Sequence, residues 1–280
     1  MTQQQMPTAP TVTLACGIAM PRVGLGTWPM DDAGAAVAVA SALRTGYRHV
    51  DTAERYGNET GVGEGLRRSG VPRAEVFVTT KFEKEWHSVP GVRTACEASL
   101  RRLGLDYIDL MLVHWPNPDQ NRYVEAVEGL VRVMEAGLIR AFGVSNFKPA
   151  HLQRVFDAGF TPHVAQIQLD PSHRRDDLDA IHRAKGIVTE AWSPIGRGGD
   201  LLREPAVTAA AAALGRTPAQ IVLRWHIEHG YVPLPKSSDP QRQRENLALF
   251  DFSLTDAQRA ALDSLDRPDP KMLDSDVFGH

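Results

Sequence analysis

Seven glycines constrain the topology of this chain more tightly than any other feature. Gly46, Gly70, Gly104, Gly137, Gly159, Gly186 and Gly230 each close a helical stretch and precede a short apolar run. A helix that stops in a left-handed residue turns at once into a short loop, and glycine takes that conformation without a Cβ clash. The apolar runs read as strands: VGLGT (23–27), YRHV (47–50), VFVTT (76–80), IDLMLV (108–113), IRAFGV (139–144), VAQIQL (164–169), IVTEAW (187–192) and YVPLP (231–235). Several are nearly continuous in hydrophobicity, as strands covered on both faces are. Between them AGAAVAVASALR, VRTACEASLRRL, VEAVEGLVRVMEA and AQIVLRWHIEH place apolar residues at intervals of three and four, the helical period. Eight strands with seven glycine-marked returns predict an α/β fold, the (β/α)8 TIM barrel. An open doubly wound sheet alternates in the same way, but one that holds a dinucleotide usually carries G-x-G-x-x-G in its first βα turn. GLGTWP and GVGEGL both lack that pattern.

Two additions lie outside the repeat. TVTLACGIAMPRVG (11–24) reads as an N-terminal β-hairpin around Cys16-Gly17, closing the barrel bottom. Two extra helices are expected, PAVTAAAAAL in the long connection between the seventh and eighth strands and TDAQRAALDSL after the barrel. Thr217-Pro218-Ala219-Gln220 and Thr255-Asp256-Ala257-Gln258 are capping-box starts. A length of 280 residues suits one barrel, so residues 1–280 are expected to form a single domain, with 1–10 a flexible tail and 269–280 a C-terminal tail.

Composition narrows the function classes. A net charge of −3 gives no basic footprint for nucleic acid. Cys16 and Cys96 are the 2 cysteines, with no C-x-x-C, which excludes a disulfide framework or a cysteine zinc site and fits the reducing cytoplasm. The start carries no signal-peptide pattern and no apolar run approaches a membrane span. HIEH (226–229) is the nearest approach to a metal pair and lacks further ligands, so no metal is expected. The expected protein is a cytoplasmic monomer acting on a small molecule.

Four residues carry the chemistry. Asp51, Tyr56, Lys81 and His114 stand in HVDTAERYG, VFVTTKF and LMLVHWP, at the ends of three successive strands. Catalytic groups of a parallel barrel gather on that rim. Any one of them alone is an ordinary strand-end residue; together they form a general-acid set. Lysine lowers a phenol's pKa, aspartate holds the lysine, and histidine orients a carbonyl or shares the proton.

With these residues placed, the chain resembles an aldo-keto reductase over roughly residues 11 to 268. GLGTW, YRHVDTAERYGNE, FVTTK, YIDLMLVHWP, IRAFGVSNF, QIQLDP, WSPIGRG, PLPKS and RQRENLALFDFSL occur in the family's order. HWPNPDQNRY, TPAQIVLRWH and Trp192 before Ser193-Pro194 resemble the bacterial branch that includes 2,5-diketo-gluconate reductases. The resemblance implies a reductase that moves a hydride from NADPH to an aldehyde or ketone, such as a small aldehyde, dicarbonyl or keto-sugar. It implies Tyr56 as proton donor, Lys81 paired with Asp51, and His114 positioning the carbonyl.

For the cofactor, NADPH/NADP+, the resemblance implies Ser145, Asn146 and Gln166 on the carboxamide and Trp192 stacked on the nicotinamide. Ser193 and Gly196 match the segment near the pyrophosphate. Lys236, Ser237 and Arg242 match a 2′-phosphate site, where two cations and a hydroxyl suit a dianion. Glu245 and Asn246 match the adenine contacts, and Gly26, Thr27 and Asp51 complete the set. Trp28, Trp86 and Trp115, with Tyr56 and His114, are the expected substrate wall.

The chain departs from the family pattern at Ala165, where asparagine is common, at Asp170, where histidine is usual, and at Glu83, where relatives often place a pocket tryptophan. Glu83 pointing inward would bring a negative charge to the pocket and disfavour anionic substrates. A nucleotide-binding redox sensor with little turnover is the alternative function, and an isomerase on the same rim is more remote. A short-chain dehydrogenase is excluded, because none of the 5 tyrosines has a lysine four positions later.

Overall fold

The computed structural model describes residues 8–267 and 273–279. Residues 1–7 of the expected N-terminal tail, and 269–272 and 280 of the expected C-terminal tail, lie outside the described residues. The chain enters through a hairpin, β1 (Thr11–Thr13) antiparallel to β2 (Ala19–Pro21), with Cys16-Gly17 at the turn. Leu14 and Met20 are buried against Phe77, Leu110, Ala141, Val164 and Val232, so the hairpin plugs one end of the sheet that follows.

That sheet holds β3 (Leu25–Gly26), β4 (His49–Asp51), β5 (Phe77–Phe82), β6 (Ile108–Val113), β7 (Ile139–Ser145), β8 (Val164–Gln168), β9 (Val188–Trp192) and β10 (Val232–Pro233). Each pairs in parallel with its sequence neighbour. The edges meet as well: the Gly24 N–H donates to the Pro233 carbonyl (3.1 Å) and the Gly26 N–H to that of Pro235 (3.2 Å). The predicted barrel is therefore what forms. β10 is shorter than the apolar run YVPLP because Pro233 and Pro235 have no N–H for a ladder.

Among the described residues ten α-helices surround the strands: α1 (Asp32–Thr45), α2 (Glu59–Ser69), α3 (Val89–Leu103), α4 (Tyr123–Glu135), α5 (Pro149–Asp157), α6 (Asp176–Lys185), α7 (Pro205–Leu214), α8 (Pro218–Glu228), α9 (Pro240–Leu247) and α10 (Asp256–Asp263). The additions to the repeat are α7 and α10. The seven returning glycines all have positive φ, between 66° at Gly104 and 127° at Gly46. Both capping boxes form: Thr217 Oγ1 accepts the Gln220 N–H (3.2 Å) while Gln220 Oε1 accepts that of Thr217 (3.0 Å), and Thr255 and Gln258 repeat the exchange. In α2, glycine serves close packing. A Cβ at Gly61 would lie 2.1 Å from the Asp32 carbonyl oxygen, and one at Gly63 2.1 Å from that of Leu103. Backbone contact with the start of α1 and the end of α3 thus outweighs the poor helix propensity of glycine, about 1 kcal/mol per residue.

Residues 273–279 of the C-terminal segment form no helix or strand but are tied to the barrel. Lys148 at the start of α5 pairs with Asp274 and with Asp276 (2.6 Å to the latter), and His151 meets Asp276 at 3.1 Å. No single helix among the described residues is long and apolar enough to cross a membrane.

Candidate active site

The strand ends converge as the parallel topology requires. Asp51 closes β4, and the chain then turns through a short 3-10 helix, Glu54–Tyr56. Asn58 locks this turn: its Oδ1 accepts from Thr52 Oγ1 (2.7 Å), and its Nδ2 donates to the carbonyls of Thr27 (3.3 Å) and Met30 (2.9 Å). On β5 Lys81 is wholly buried. Its Nζ donates to both Asp51 carboxylate oxygens (2.8 and 2.9 Å) and to the Thr52 carbonyl (2.9 Å), and lies 3.5 Å from the Tyr56 hydroxyl. The His114 ring stands edge-on to Tyr56 at 5.9 Å. All four predicted residues therefore share one cluster.

Their electrostatics depart from expectation in one respect. Burial opposes charge on Lys81, yet Asp51 and Tyr56 hold its pKa above the ordinary 10.5. The Tyr56 phenol is also pushed above 10, chiefly by burial, with Asp51 and Glu83 adding to the rise and Lys81 opposing it. The lowering expected from lysine is thus not the net result, because burial of the phenol outweighs the Lys81 charge and Asp51 adds to the rise. His114 sits well below the ordinary 6.5, through burial first and the Lys81 charge second. A protonated phenol and a neutral imidazole face the barrel mouth near pH 7.

Glu83 does not stand free at the pocket wall. It is buried, and its Oε1 lies 2.5 Å from His114 Nδ1. Trp115 is buried beside His114 (rings 6.3 Å apart) and edge-on to Phe278 of the C-terminal segment (4.8 Å). Trp28 is 49% exposed, with the Arg197 guanidinium 5.4 Å from its ring centre. Trp86 is held apart from the four: its Nε1 donates to the Glu54 carboxylate (3.2 and 3.1 Å), and its ring packs on the outer core.

The residues implied for a cofactor flank this cluster. Asn146, at φ 64°, donates to the His114 carbonyl (3.1 Å) and accepts from Trp192 Nε1 (2.9 Å), which fixes the indole. Ser145 is buried against the Asn146 amide (3.0 Å). Thr27 Oγ1 donates to the Asp51 carbonyl (3.0 Å), and Gly26 bridges to Lys236 where the barrel closes. Ser193, Gly196, Arg197 and Gly198 all have positive φ, a conformation that turns successive N–H groups to one side. Lys236 is exposed beside buried Ser237, and exposed Arg242 lies in the first turn of α9, where Asp239 caps the helix. Neither cation meets a carboxylate among the described residues, the donor set a bound phosphate needs. Glu245 accepts from Gln241 (3.0 Å), and Asn246 is buried. A cavity of about 380 Å³ opens beside Trp192 and Asn146, walled by Arg175 and Ser275.

Two features escaped the sequence. Glu54 anchors Trp86 and receives the Glu83 N–H (3.3 Å), tying the β4 and β5 loops together. Beneath the cluster, Gln166 Nε2 donates to both Asp51 Oδ2 and Glu190 Oε2 at 2.9 Å. A glutamate in the apolar run IVTEAW was the available signal for this buried carboxyl.

The family model described as "Aldo/keto reductase family" matches residues 20–267. An aldo-keto reductase of Mycolicibacterium vanbaalenii is 48% identical, covering 94% of this chain and 96% of its own. A 2,5-diketo-D-gluconic acid reductase B of Corynebacterium is 43% identical over 98% and 99% of the two chains. The crystal structure of a Bombyx mori aldo-keto reductase in complex with NADP superposes with a TM-score of 0.87 at 35% identity, covering 92% of this chain and 93% of that one.

Proposed function

The chain belongs to the aldo/keto reductase family, and we propose that it is an NADPH-dependent carbonyl reductase with Tyr56 as its general acid. The observation that carries this reading is a tyrosine hydroxyl 3.5 Å from a buried, Asp51-bound lysine nitrogen at the barrel mouth. NADPH supplies the hydride when bound. Ser145, Asn146 and Gln166 hold its carboxamide, Trp192 its ring, Ser193 and Gly196 its pyrophosphate, and Glu245 and Asn246 its adenine, with Gly26 and Thr27 beside Asp51. The chain's own contribution is to hold a carbonyl against Tyr56 and His114 and to give a proton as negative charge develops on oxygen. Trp28 and Trp115 form the aromatic rim, suited to small aldehydes, dicarbonyls or keto-sugars. The keto-sugar acid in the name of the Corynebacterium relative supports the last class. Loss of NADPH absorbance against a panel of these carbonyls tests the activity. No reduction of any member would end the proposal.

Lys236, Ser237 and Arg242 serve the 2′-phosphate. Arg242→Ala is therefore expected to weaken NADPH by on the order of 1.5–3 kcal/mol and to leave NADH nearly unchanged. Titrating both cofactors by fluorescence measures this, and equal affinities in the wild type would contradict the phosphate site.

The Glu83 contact sets the tautomer of His114. A neutral imidazole carries a single N–H, and the 2.5 Å contact with Glu83 fixes which ring nitrogen holds it. Glu83→Gln keeps a hydrogen-bonding partner there and should hold kcat/KM within about ten-fold. Glu83→Leu removes the partner and should cost about 1–3 kcal/mol of transition-state stabilisation. Indistinguishable kinetics for the two variants would leave Glu83 without influence on His114.

A further inference from the structure

Glu190 is a buried carboxyl in contact with the catalytic cluster that the proposed mechanism does not use. It is fully buried on β9, two residues before Trp192, so the two share a strand face with Glu190 roughly 7 Å deeper. Its register partner on β8 is Gln166. The single amide nitrogen of Gln166 is shared between Glu190 Oε2 and Asp51 Oδ2, at 2.9 Å each. The Gln166 side-chain oxygen, Oε1, makes no hydrogen bond among the described residues. Glu190 Oε1 has no hydrogen-bond partner either; His49 Nε2 is 3.6 Å away and is engaged by Thr79 Oγ1 at 3.0 Å.

Charge around Glu190 is unbalanced. The titratable groups that face it are His49 and Asp51 from β4 and Lys81 from β5; Gln166 on β8 is neutral, and Val232 and Pro233 of β10 carry no charge. Lys81 is committed to Asp51 by two hydrogen bonds. Burial holds the His49 imidazole down at about 4, so it stays neutral. An ionised Glu190 would therefore be a net buried negative charge with no cation of its own, and its pKa is pushed up to about 8 by burial and then by Asp51. The nicotinamide ring is the group whose charge changes in the reaction: it is positive when oxidised and neutral when reduced.

We propose that Glu190 is a charge-compensating residue, which releases its proton to solvent when the oxidised cofactor is bound and keeps it when the reduced cofactor is bound. This rests on the proposed cofactor site, with Gln166 as the link between the ring's carboxamide and Glu190. A positive charge above Glu190 favours its ionised form, so by linkage NADP+ binds more tightly as pH rises through the titration, whereas NADPH gains nothing. The 2′-phosphate and its cations are common to both cofactors and cancel in the ratio of affinities. Tyr56 and Lys81 are held above their ordinary values and His114 well below its own, so all three keep one charge state across the neutral range.

The test is to measure affinities for NADP+ and NADPH by fluorescence titration from about pH 6 to about pH 9, in wild type and in Glu190→Gln. The wild-type preference for NADP+ over NADPH should rise on the order of ten-fold over this range, and the variant should show a flat ratio. A second measurement needs only the wild type. Calorimetric titration near pH 8, in two buffers of different ionisation enthalpy, should show a fraction of a proton released with NADP+ and none with NADPH. A flat wild-type ratio, a slope that survives Glu190→Gln, or equal proton release with both cofactors would overturn the inference alone. Failure to bind either cofactor would overturn the reductase reading and this inference with it.

Discussion

Tyr56→Phe is expected to keep NADPH affinity and to lose about 10²–10⁴-fold in carbonyl reduction, the range a positioned general acid supplies. The substitution removes one oxygen and little else. The ring still packs edge-on to His114, and Lys81 keeps its hydrogen bonds to Asp51 and to the Thr52 carbonyl. His114 cannot readily replace the lost donor: burial and the Lys81 charge hold it well below 6.5, so it carries no proton beyond that of the neutral ring. Single-turnover hydride transfer on a good aldehyde separates chemistry from product release. A variant retaining more than about a third of the wild-type rate, with hydride transfer limiting, would remove Tyr56 from the role. The pH dependence follows from the same geometry. Because the phenol is raised above 10, reduction should not fall from loss of this proton anywhere near neutrality.

The sequence made the barrel legible because its punctuation is local. A glycine that must sit at positive φ leaves its mark whatever the tertiary context, as does a capping box such as Thr217 with Gln220. Helix α2 was harder to read, since Gly61, Gly63 and Gly65 interrupt the apolar period. Their reason for being there, the close approach of Asp32 at Gly61, of Leu103 at Gly63 and of Ala36 and Val39 at Gly65, comes from distant parts of the chain. The four site residues were recognisable from their strand-end positions, and the Lys81–Asp51 pair with them, but the partner of His114 was not. That Glu83 meets His114 across two loops depends on side-chain directions over about 30 residues of intervening chain. Nor does the aperiodic C-terminal segment announce that Phe278 meets Trp115 edge-on, because that contact is made by docking and not by local structure.

Lys81→Met should be the most disruptive single change to the fold at this site. Among the described residues no other cation touches Asp51, and the substitution leaves two buried carboxyls, Asp51 and Glu190, joined through one Gln166 amide. Removing one partner of a buried ion pair costs about 3–5 kcal/mol, because the remaining charge is stranded away from water. Against a total stability of about 5–15 kcal/mol for a protein of ordinary stability, that loss is severe. Urea unfolding followed by circular dichroism measures it, and a loss below about 1 kcal/mol would show that the pair is effectively solvated. A double variant separates charge from shape. Asp51→Asn in the Lys81→Met background replaces the stranded carboxylate with a neutral amide that can still accept from Gln166 Nε2. It should recover most of the lost stability. Reduction should not return, since the ammonium beside the Tyr56 hydroxyl is still missing and the phenol has lost the neighbour that favours its ionised form. Recovery of both stability and turnover would mean that Lys81 serves the fold alone.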